Sequence, residues 1–288
     1  MKPSTSEFIQ VRGRRCHVRC WGPSDAPLLF LLHGWMDVSA SFKFLVDAMS
    51  RDWRLLALDW RGFGQSQWND DAYWFPDYIA DLDALLDHYS PEQPCRLIGH
   101  SLGGNATCLY AGIRPQRVER LVTLEGFGLR FTFPGDAPER YGQWLDGLRK
   151  GPGNNRYADR AEFATRLCRQ NPRLTPDKAA FLAQHLGEER DGAIEVAADP
   201  YHRLPNPVLY RLDDAKACWQ KVTAPVLWVA ASNSFIMDSF AGEEGEADYR
   251  QRIACFADIR VEKVEDASHN LHHDQPQIVA RLIEDFFP

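Results

Sequence analysis

The sequence predicts an α/β fold in which a mostly parallel, doubly wound sheet carries an inserted helical cap. Three observations support this prediction. Short apolar runs typical of buried strands alternate with stretches of helical periodicity along most of the chain. One of these runs ends in a serine that is flanked by glycines and leads directly into a helix. Residues 127–222 differ, with short helical segments between prolines and glycines and no convincing strand.

The expected elements follow the order of a parallel sheet covered on both faces. A hairpin is expected from strands at 8–11 and 16–21. Further strands are expected at 28–32, 54–58, 95–98, 119–124, 225–230 and 259–264. Helical spacing is found at 39–50, 75–89, 102–114 and 275–287, and within the insertion at 140–150, 160–170 and 177–186.

The domain organisation follows from where the insertion lies. It comes directly after the strand that follows the serine's helix, so it is expected above the carboxyl ends of the strands. We therefore expect residues 1–126 and 223–288 to form the core and 127–222 to form a cap over the site. The alternative is a helical layer far from the chemistry.

Composition excludes several classes of function. Of the 288 residues 44% are hydrophobic, enough for a large core, and the net charge of −7 leaves no basic face for nucleic acid. No apolar run is long enough to span a membrane and no secretory signal is evident, so we expect a cytoplasmic protein. Its seven cysteines include no CxxC pair, which favours reduced thiols over disulfides or a zinc site. We expect neither a metal nor a cofactor.

The central motif is Gly99-His100-Ser101-Leu102-Gly103, which is typical of a nucleophile elbow. At such a turn a strained serine lies between a strand and a helix, and glycines are needed where a Cβ atom would collide. The alternative is a tight turn whose serine only caps the helix.

Four motifs in order give the chain a family resemblance. They are Leu31-Leu32-His33-Gly34-Trp35, Asp59-Trp60-Arg61-Gly62-Phe63-Gly64-Gln65-Ser66, the elbow, and Ala267-Ser268-His269-Asn270-Leu271-His272-His273-Asp274-Gln275-Pro276. With them the sequence resembles an α/β-hydrolase with a helical cap over nearly its whole length. The residues around Trp35 are also similar to the serine hydrolase-like branch of that family.

The resemblance implies roles for particular residues. Ser101 corresponds to the nucleophile and His269 to the base that accepts its proton. The backbone N–H groups of Trp35 and Leu102 correspond to the oxyanion hole. The substrate pocket is expected to include His33, His100, Phe127 and Trp144.

The acid that orients His269 departs from the commonest family pattern. The usual aspartate position, after the strand at 225–230, is occupied by Ser234. Some relatives instead carry the acid at the end of the strand after the elbow helix, which here is Glu125. A carboxylate that ends a buried apolar strand is costly unless it has a partner, and His269 would be that partner. Asp238 is the second candidate.

These residues predict a cofactor-free serine hydrolase that cleaves an ester or related acyl bond in a small-molecule substrate. Carbon–carbon bond hydrolysis, lactone opening and thioester cleavage use the same groups and stay open. Two further alternatives also stay open: a lyase or perhydrolase on the same scaffold, and a ligand-binding member of the family with little turnover. The protein is expected to be a monomer or a homodimer without nucleic-acid partners.

Overall fold

Two sheets organise the part of the chain that the computed structural model describes, residues 2–69 and 71–287. The strands, in chain order, are β1 Ser4–Val11, β2 Arg14–Trp21, β3 Leu28–Leu32, β4 Arg54–Leu58, β5 Cys95–His100, β6 Val118–Leu124, β7 Arg156–Tyr157, β8 Gly187–Arg190, β9 Ala193–Val196, β10 Val226–Ala231 and β11 Ile259–Val264. The helices are α1 Lys43–Ala48, α2 Phe75–Tyr89, α3 Leu102–Ile113, α4 Ala137–Lys150, α5 Arg160–Gln170, α6 Pro176–Leu186, α7 Leu212–Trp219, α8 Phe235–Asp238, α9 Gly242–Ile253, α10 Leu271–Asp274 and α11 Pro276–Phe286.

The larger sheet has eight strands in the order β1-β2-β4-β3-β5-β6-β10-β11. β1 pairs with β2 and β2 with β4 in antiparallel fashion, and the other pairs are parallel. Leu32 lies opposite Gly99, and Leu124 lies opposite both His100 and Val229. The carboxyl ends of β3, β5, β6 and β10 therefore meet at one edge, where ligands bind in sheets of this type.

Both faces of the sheet are covered by helices, as a buried parallel sheet requires. Alternation along β3 sends Phe30 and Leu32 to one face and Leu29 and Leu31 to the other. The first face packs against α2, α3 and α7, and the second packs against α1 and α11. The predicted α/β fold with a mostly parallel sheet is confirmed.

Residues 127–222, here the inserted segment, lie between β6 and β10. They contain α4 to α7 and, against the expectation of no strand, the three-stranded antiparallel sheet β7-β9-β8. Asp191 and Gly192 join β8 to β9 with φ angles of 47° and 72°, as a tight hairpin turn requires. Helices α5 and α6 form a separate apolar cluster that includes Val38 and Ala40, from the loop after β3.

Element bounds agree with the predictions within a few residues, with two exceptions. β1 begins at Ser4 rather than at residue 8, and the helix expected over 39–50 is a 3₁₀ turn, Ser39–Phe42, followed by the short α1. Among the described residues, no helix has the length and apolar character needed to cross a membrane.

Candidate active site

Ser101 lies at the sharp turn between β5 and α3. Its φ and ψ angles are 50° and −111°, which L-residues rarely adopt. Its N–H donates to the Leu124 carbonyl at 2.9 Å, and its own carbonyl accepts from the Asn105 N–H. A Cβ atom on Gly99 would collide with the backbone of Gly103, so the turn requires a glycine there. This geometry is that of a nucleophile elbow.

Glu125 directly follows β6, the strand that pairs with β5. It also has a positive φ, 57°, and it is 1% exposed. Its Oε1 accepts from the Ala231 N–H at 2.7 Å, and its Oε2 accepts from the Ser234 hydroxyl. Ser234, where the commoner family pattern has an aspartate, thus lies against the carboxylate at Glu125. The sequence analysis did not predict this contact.

His269 lies on residues 266–274, here the histidine loop, which follow β11. Its Nδ1 is 3.3 Å from Glu125 Oε2, and its carbonyl accepts from His100 Nε2 at 2.9 Å. The Phe235 ring packs against its imidazole, with centroids 4.5 Å apart. Glu125 is therefore the carboxylate in contact with His269, whereas Asp238 is exposed at the end of α8.

A cavity of about 230 Å³ connects Ser101 with His269. The core contributes one wall, which includes Trp35, Asp37 and His100. The opposite wall comes from the inserted segment and consists of apolar side chains with two amides: Leu167, Gln170, Asn171, Leu174, Leu182 and Leu186. The sequence analysis did not single out these six residues. Four lie on α5 or α6 and two lie in the turn between these helices, and sequence pattern does not say which part of the inserted segment packs over the core.

The inserted segment also bonds directly to the histidine loop. Asn171 Nδ2 donates to Asp274 Oδ1 at 2.7 Å, and Lys178 Nζ donates to the His273 carbonyl at 2.5 Å. Arg173 forms an ion pair with Asp266 at 3.0 Å. The wall of the cavity and the loop that carries His269 are thus joined by polar contacts.

Of the two residues expected to supply oxyanion donors, one lines the cavity with Ser101 and the other directly follows Ser101 in the chain. Trp35 lines the cavity with a half-exposed side chain. Leu102 is the first residue of α3, so its N–H belongs to the helix terminus where partial positive charge collects.

Three residues expected in the pocket do not line this cavity. His33 is fully buried, and its Nδ1 lies 2.7 Å from the Gly34 carbonyl while its Nε2 accepts from the Trp60 N–H. Burial lowers the pKa of His33 to about 4. Phe127 stacks on Trp228 in the core, with centroids 4.0 Å apart. Trp144 lines a separate cavity of about 300 Å³. The aromatic residue types alone do not distinguish core from pocket.

A second group of polar side chains, Asp37, His100 and His272, lies close together, and two of its members, Asp37 and His100, line the cavity beside Ser101. Burial raises the pKa of Asp37 to about 7. Burial and the neighbouring histidines lower the pKa of both His100 and His272 well below the usual value, so both imidazoles are neutral. The sequence analysis placed His100 in the pocket and His272 at the start of the last helix or on the pocket rim, and no spacing signal links either to Asp37.

The fold and this site define a hydrolase of the α/β type. A family model described as alpha/beta hydrolase fold matches residues 27–276. The chain therefore belongs to the alpha/beta hydrolase family, as the four motifs indicated.

Individual relatives cover nearly the whole chain. A serine hydrolase-like protein of Danio rerio is 29% identical over 306 aligned positions, which span 99% of this chain and 89% of that protein. A hypothetical protein from Pseudomonas aeruginosa PAO1 is 25% identical with a TM-score of 0.85, covering 98% of this chain and 99% of that one. A thioesterase domain from the curacin biosynthetic pathway has a TM-score of 0.84 at 22% identity, over 98% and 99% of the two chains. At that identity the likeness supports the fold alone.

Proposed function

We propose that this protein is a cofactor-free serine hydrolase that cleaves an ester or related acyl bond. Ser101 is the nucleophile, His269 the general base and Glu125 the acid that orients the base. The observation that carries the proposal is the 3.3 Å contact between His269 Nδ1 and the buried Glu125 carboxylate, next to a serine in the strained elbow conformation. The serine hydrolase-like relative agrees with this reading.

Each residue has a defined step in the proposed reaction. His269 Nε2 accepts the Ser101 hydroxyl proton as Oγ attacks the acyl carbon, and then gives that proton to the leaving group. The backbone N–H groups of Trp35 and Leu102 stabilise the negative oxygen that forms during attack. A water molecule, activated by His269 in turn, releases the acyl group from Ser101.

Glu125 has the partners that this role requires. A buried carboxylate must be hydrogen-bonded, and the Ala231 N–H and the Ser234 hydroxyl hold it in place. Because the Glu125 carboxylate accepts a hydrogen bond from Nδ1–H of His269, the imidazole proton stays on Nδ1. The lone pair of Nε2 is then available to accept the Ser101 proton. The negative charge also stabilises the imidazolium that forms in the transition state.

We further propose that residues 127–222 act as a cap on a core formed by 1–126 and 223–288. Helices α5 and α6 and the turn between them supply one wall of the cavity. At about 230 Å³ the cavity is below the usual range of about 300–1,000 Å³ for small-molecule sites, which favours a short acyl group.

Fluorophosphonate labelling followed by intact mass tests the proposal. The wild type is expected to gain one adduct, and Ser101→Ala none. His269→Gln should slow labelling by about 100-fold or more, since the serine loses its base. Ser232→Ala and His88→Gln are matched controls that should label at the wild-type rate. A folded wild type that gains no adduct would contradict the proposal and favour a ligand-binding member of the family.

A substrate panel then tests the bond and the acyl size. The p-nitrophenyl esters of acetate, butyrate and decanoate share one leaving group, so their kcat/KM values report the acyl pocket alone. Acetate and butyrate should exceed decanoate. A thioester of the preferred acyl group, assayed beside the ester, decides between the two bond types.

A further inference from the structure

The cluster of Asp37, His100 and His272, here the Asp37 cluster, carries out no chemical step of the proposed reaction. One carboxylate oxygen and one ring nitrogen from each histidine all lie within 4.8 Å of one another. The two histidine rings are 4.4 Å apart between centroids, and both side chains are buried, at 2% and 0% exposure. Three groups that carry lone pairs therefore converge where the cavity wall meets the interior.

The hydrogen bonds of His100 determine which of its nitrogens is free. Its Nε2 lies 2.9 Å from the His269 carbonyl, which can only accept, so Nε2 carries the proton. Its Nδ1 is then an unprotonated nitrogen, and it has no hydrogen-bond partner within residues 2–69 and 71–287. A metal-ligating histidine is typically held in this way, with its other N–H donated to a carbonyl.

His272 is more unusual, because neither of its ring nitrogens has a hydrogen-bond partner in the described part of the chain. A buried polar atom left unpaired costs about 1–3 kcal/mol, so such atoms are rare. Asp37 is held in place by the Val38 N–H at 2.9 Å and the Ser41 hydroxyl at 2.7 Å. These two bonds leave lone pairs on both of its carboxylate oxygens.

We propose that Asp37, His100 and His272 bind one divalent transition-metal ion, zinc or a cation of similar preference. Two neutral imidazoles and a carboxylate are ligands that zinc takes at about 2.0–2.2 Å. The ligand atoms must therefore draw together by roughly 1 Å from their present separation. Asp37 and His100 also line the cavity at Ser101, which gives the ion an entry path and leaves a coordination position open toward the cavity.

An ion at this position would inhibit the proposed hydrolysis, and this step alone rests on the proposed function. The His100 and His269 rings are 5.0 Å apart between centroids. The charge of the ion, which the Asp37 carboxylate offsets only in part, lies on the far side of His100 and opposes the imidazolium that His269 must become during attack by Ser101. The ion is thus a reversible inhibitor rather than a cofactor, a role not anticipated in the sequence analysis, which expected no metal.

Calorimetric titration of the full chain with zinc chloride, after removal of metals with EDTA, tests binding independently of activity. The wild type should bind one ion, and His272→Leu should lower the affinity by at least about tenfold. Asp37→Asn, which keeps the side-chain shape, should have a similar effect and decides the question if His272→Leu does not fold. His88→Ala removes an exposed histidine and should bind like the wild type. No binding to the wild type, or equal binding to the cluster variants, would overturn the proposal.

Cobalt(II) absorption in the visible region reports whether the bound ion has the low coordination number of a protein site, and this absorption should be lost in both cluster variants. Fluorophosphonate labelling of the wild type should slow with zinc and recover with EDTA, whereas labelling of His272→Leu should not respond. Zinc binding without slower labelling would retain the site and refute its coupling to His269. A protein that never labels would refute the hydrolase proposal while the titration still decides the metal site.

Discussion

Replacing Glu125 with glutamine removes the charge of the proposed acid at nearly constant shape. Three donors surround the carboxylate: the Ala231 N–H, the Ser234 hydroxyl and, in the proposed tautomer, His269 Nδ1–H. The backbone N–H of Ala231 can only donate, so the glutamine oxygen must stay there and its NH2 must take the place of Oε2. The Ser234 hydroxyl can rotate to accept from that NH2.

His269 has no such freedom. To accept at Nδ1 it must move its proton to Nε2, and Nε2 can then no longer take the proton of Ser101. A neutral amide at this position of a serine triad in another enzyme lowers kcat by about 10⁴-fold. We expect a similar loss here, which corresponds to about 5 kcal/mol in the activation barrier. Glu125→Asp keeps the charge but withdraws it by about 1.5 Å, and a loss of about 100-fold is expected.

The assay is kcat on the best ester of the panel, with fluorophosphonate labelling rate as a second readout. Asp238→Asn is the matched control, since it also neutralises a carboxylate but on the exposed end of α8. Thermal melts establish that each variant is folded. Wild-type rates in Glu125→Gln combined with a large loss in Asp238→Asn would refute the assignment and transfer the role to Asp238.

Two further predictions concern stability and motion. Burial acts to raise the pKa of Asp59, but the hydrogen bond and charge of His17 at 2.7 Å outweigh it and lower that pKa to about 2. Asp59→Asn should therefore lower the free energy of unfolding by about 2 kcal/mol near neutral pH. Urea unfolding should show the difference between wild type and variant shrinking as the pH falls from about 4 toward 2. A difference that does not change with pH would contradict this prediction. Asn171→Ala removes the hydrogen bond to Asp274. Amide exchange in α5 and α6 should become about fivefold faster, with exposed Asp146→Ala as the control; equal rates would show that the contact does not hold the segment.

The sequence was most informative where local pattern and chemistry coincide. Continuous apolar runs identified the internal strands, and Pro76 with helical spacing predicted α2 at its observed bounds, Phe75–Tyr89. Glu125 was identifiable because some members of the family carry the acid at the end of this strand, and because a carboxylate at the end of a buried strand needs a partner. In the structure it is His269 that lies against that carboxylate.

The remaining features depend on contacts between distant parts of the chain. Strands β8 and β9 are short, and β8 reads Gly-Glu-Glu-Arg, with no apolar alternation to reveal it. The one available signal was the Asp191-Gly192 turn between them. The bond from Ser234 to Glu125 and the approach of Asp37 to His272 arise only when separate loops converge at the edge of the sheet.

The positive φ angles of Ser101 and Glu125, 50° and 57°, have a consequence for engineering. Each such non-glycine residue costs about 1–3 kcal/mol, so glycine at either position relieves backbone strain. A screen for heat resistance alone would therefore favour Ser101→Gly, and with it a more durable protein that has lost its proposed nucleophile. Glu125→Gly gains less, because it leaves the buried Ala231 N–H without its acceptor. A screen for thermostable variants of this chain must therefore also select for activity from its first round.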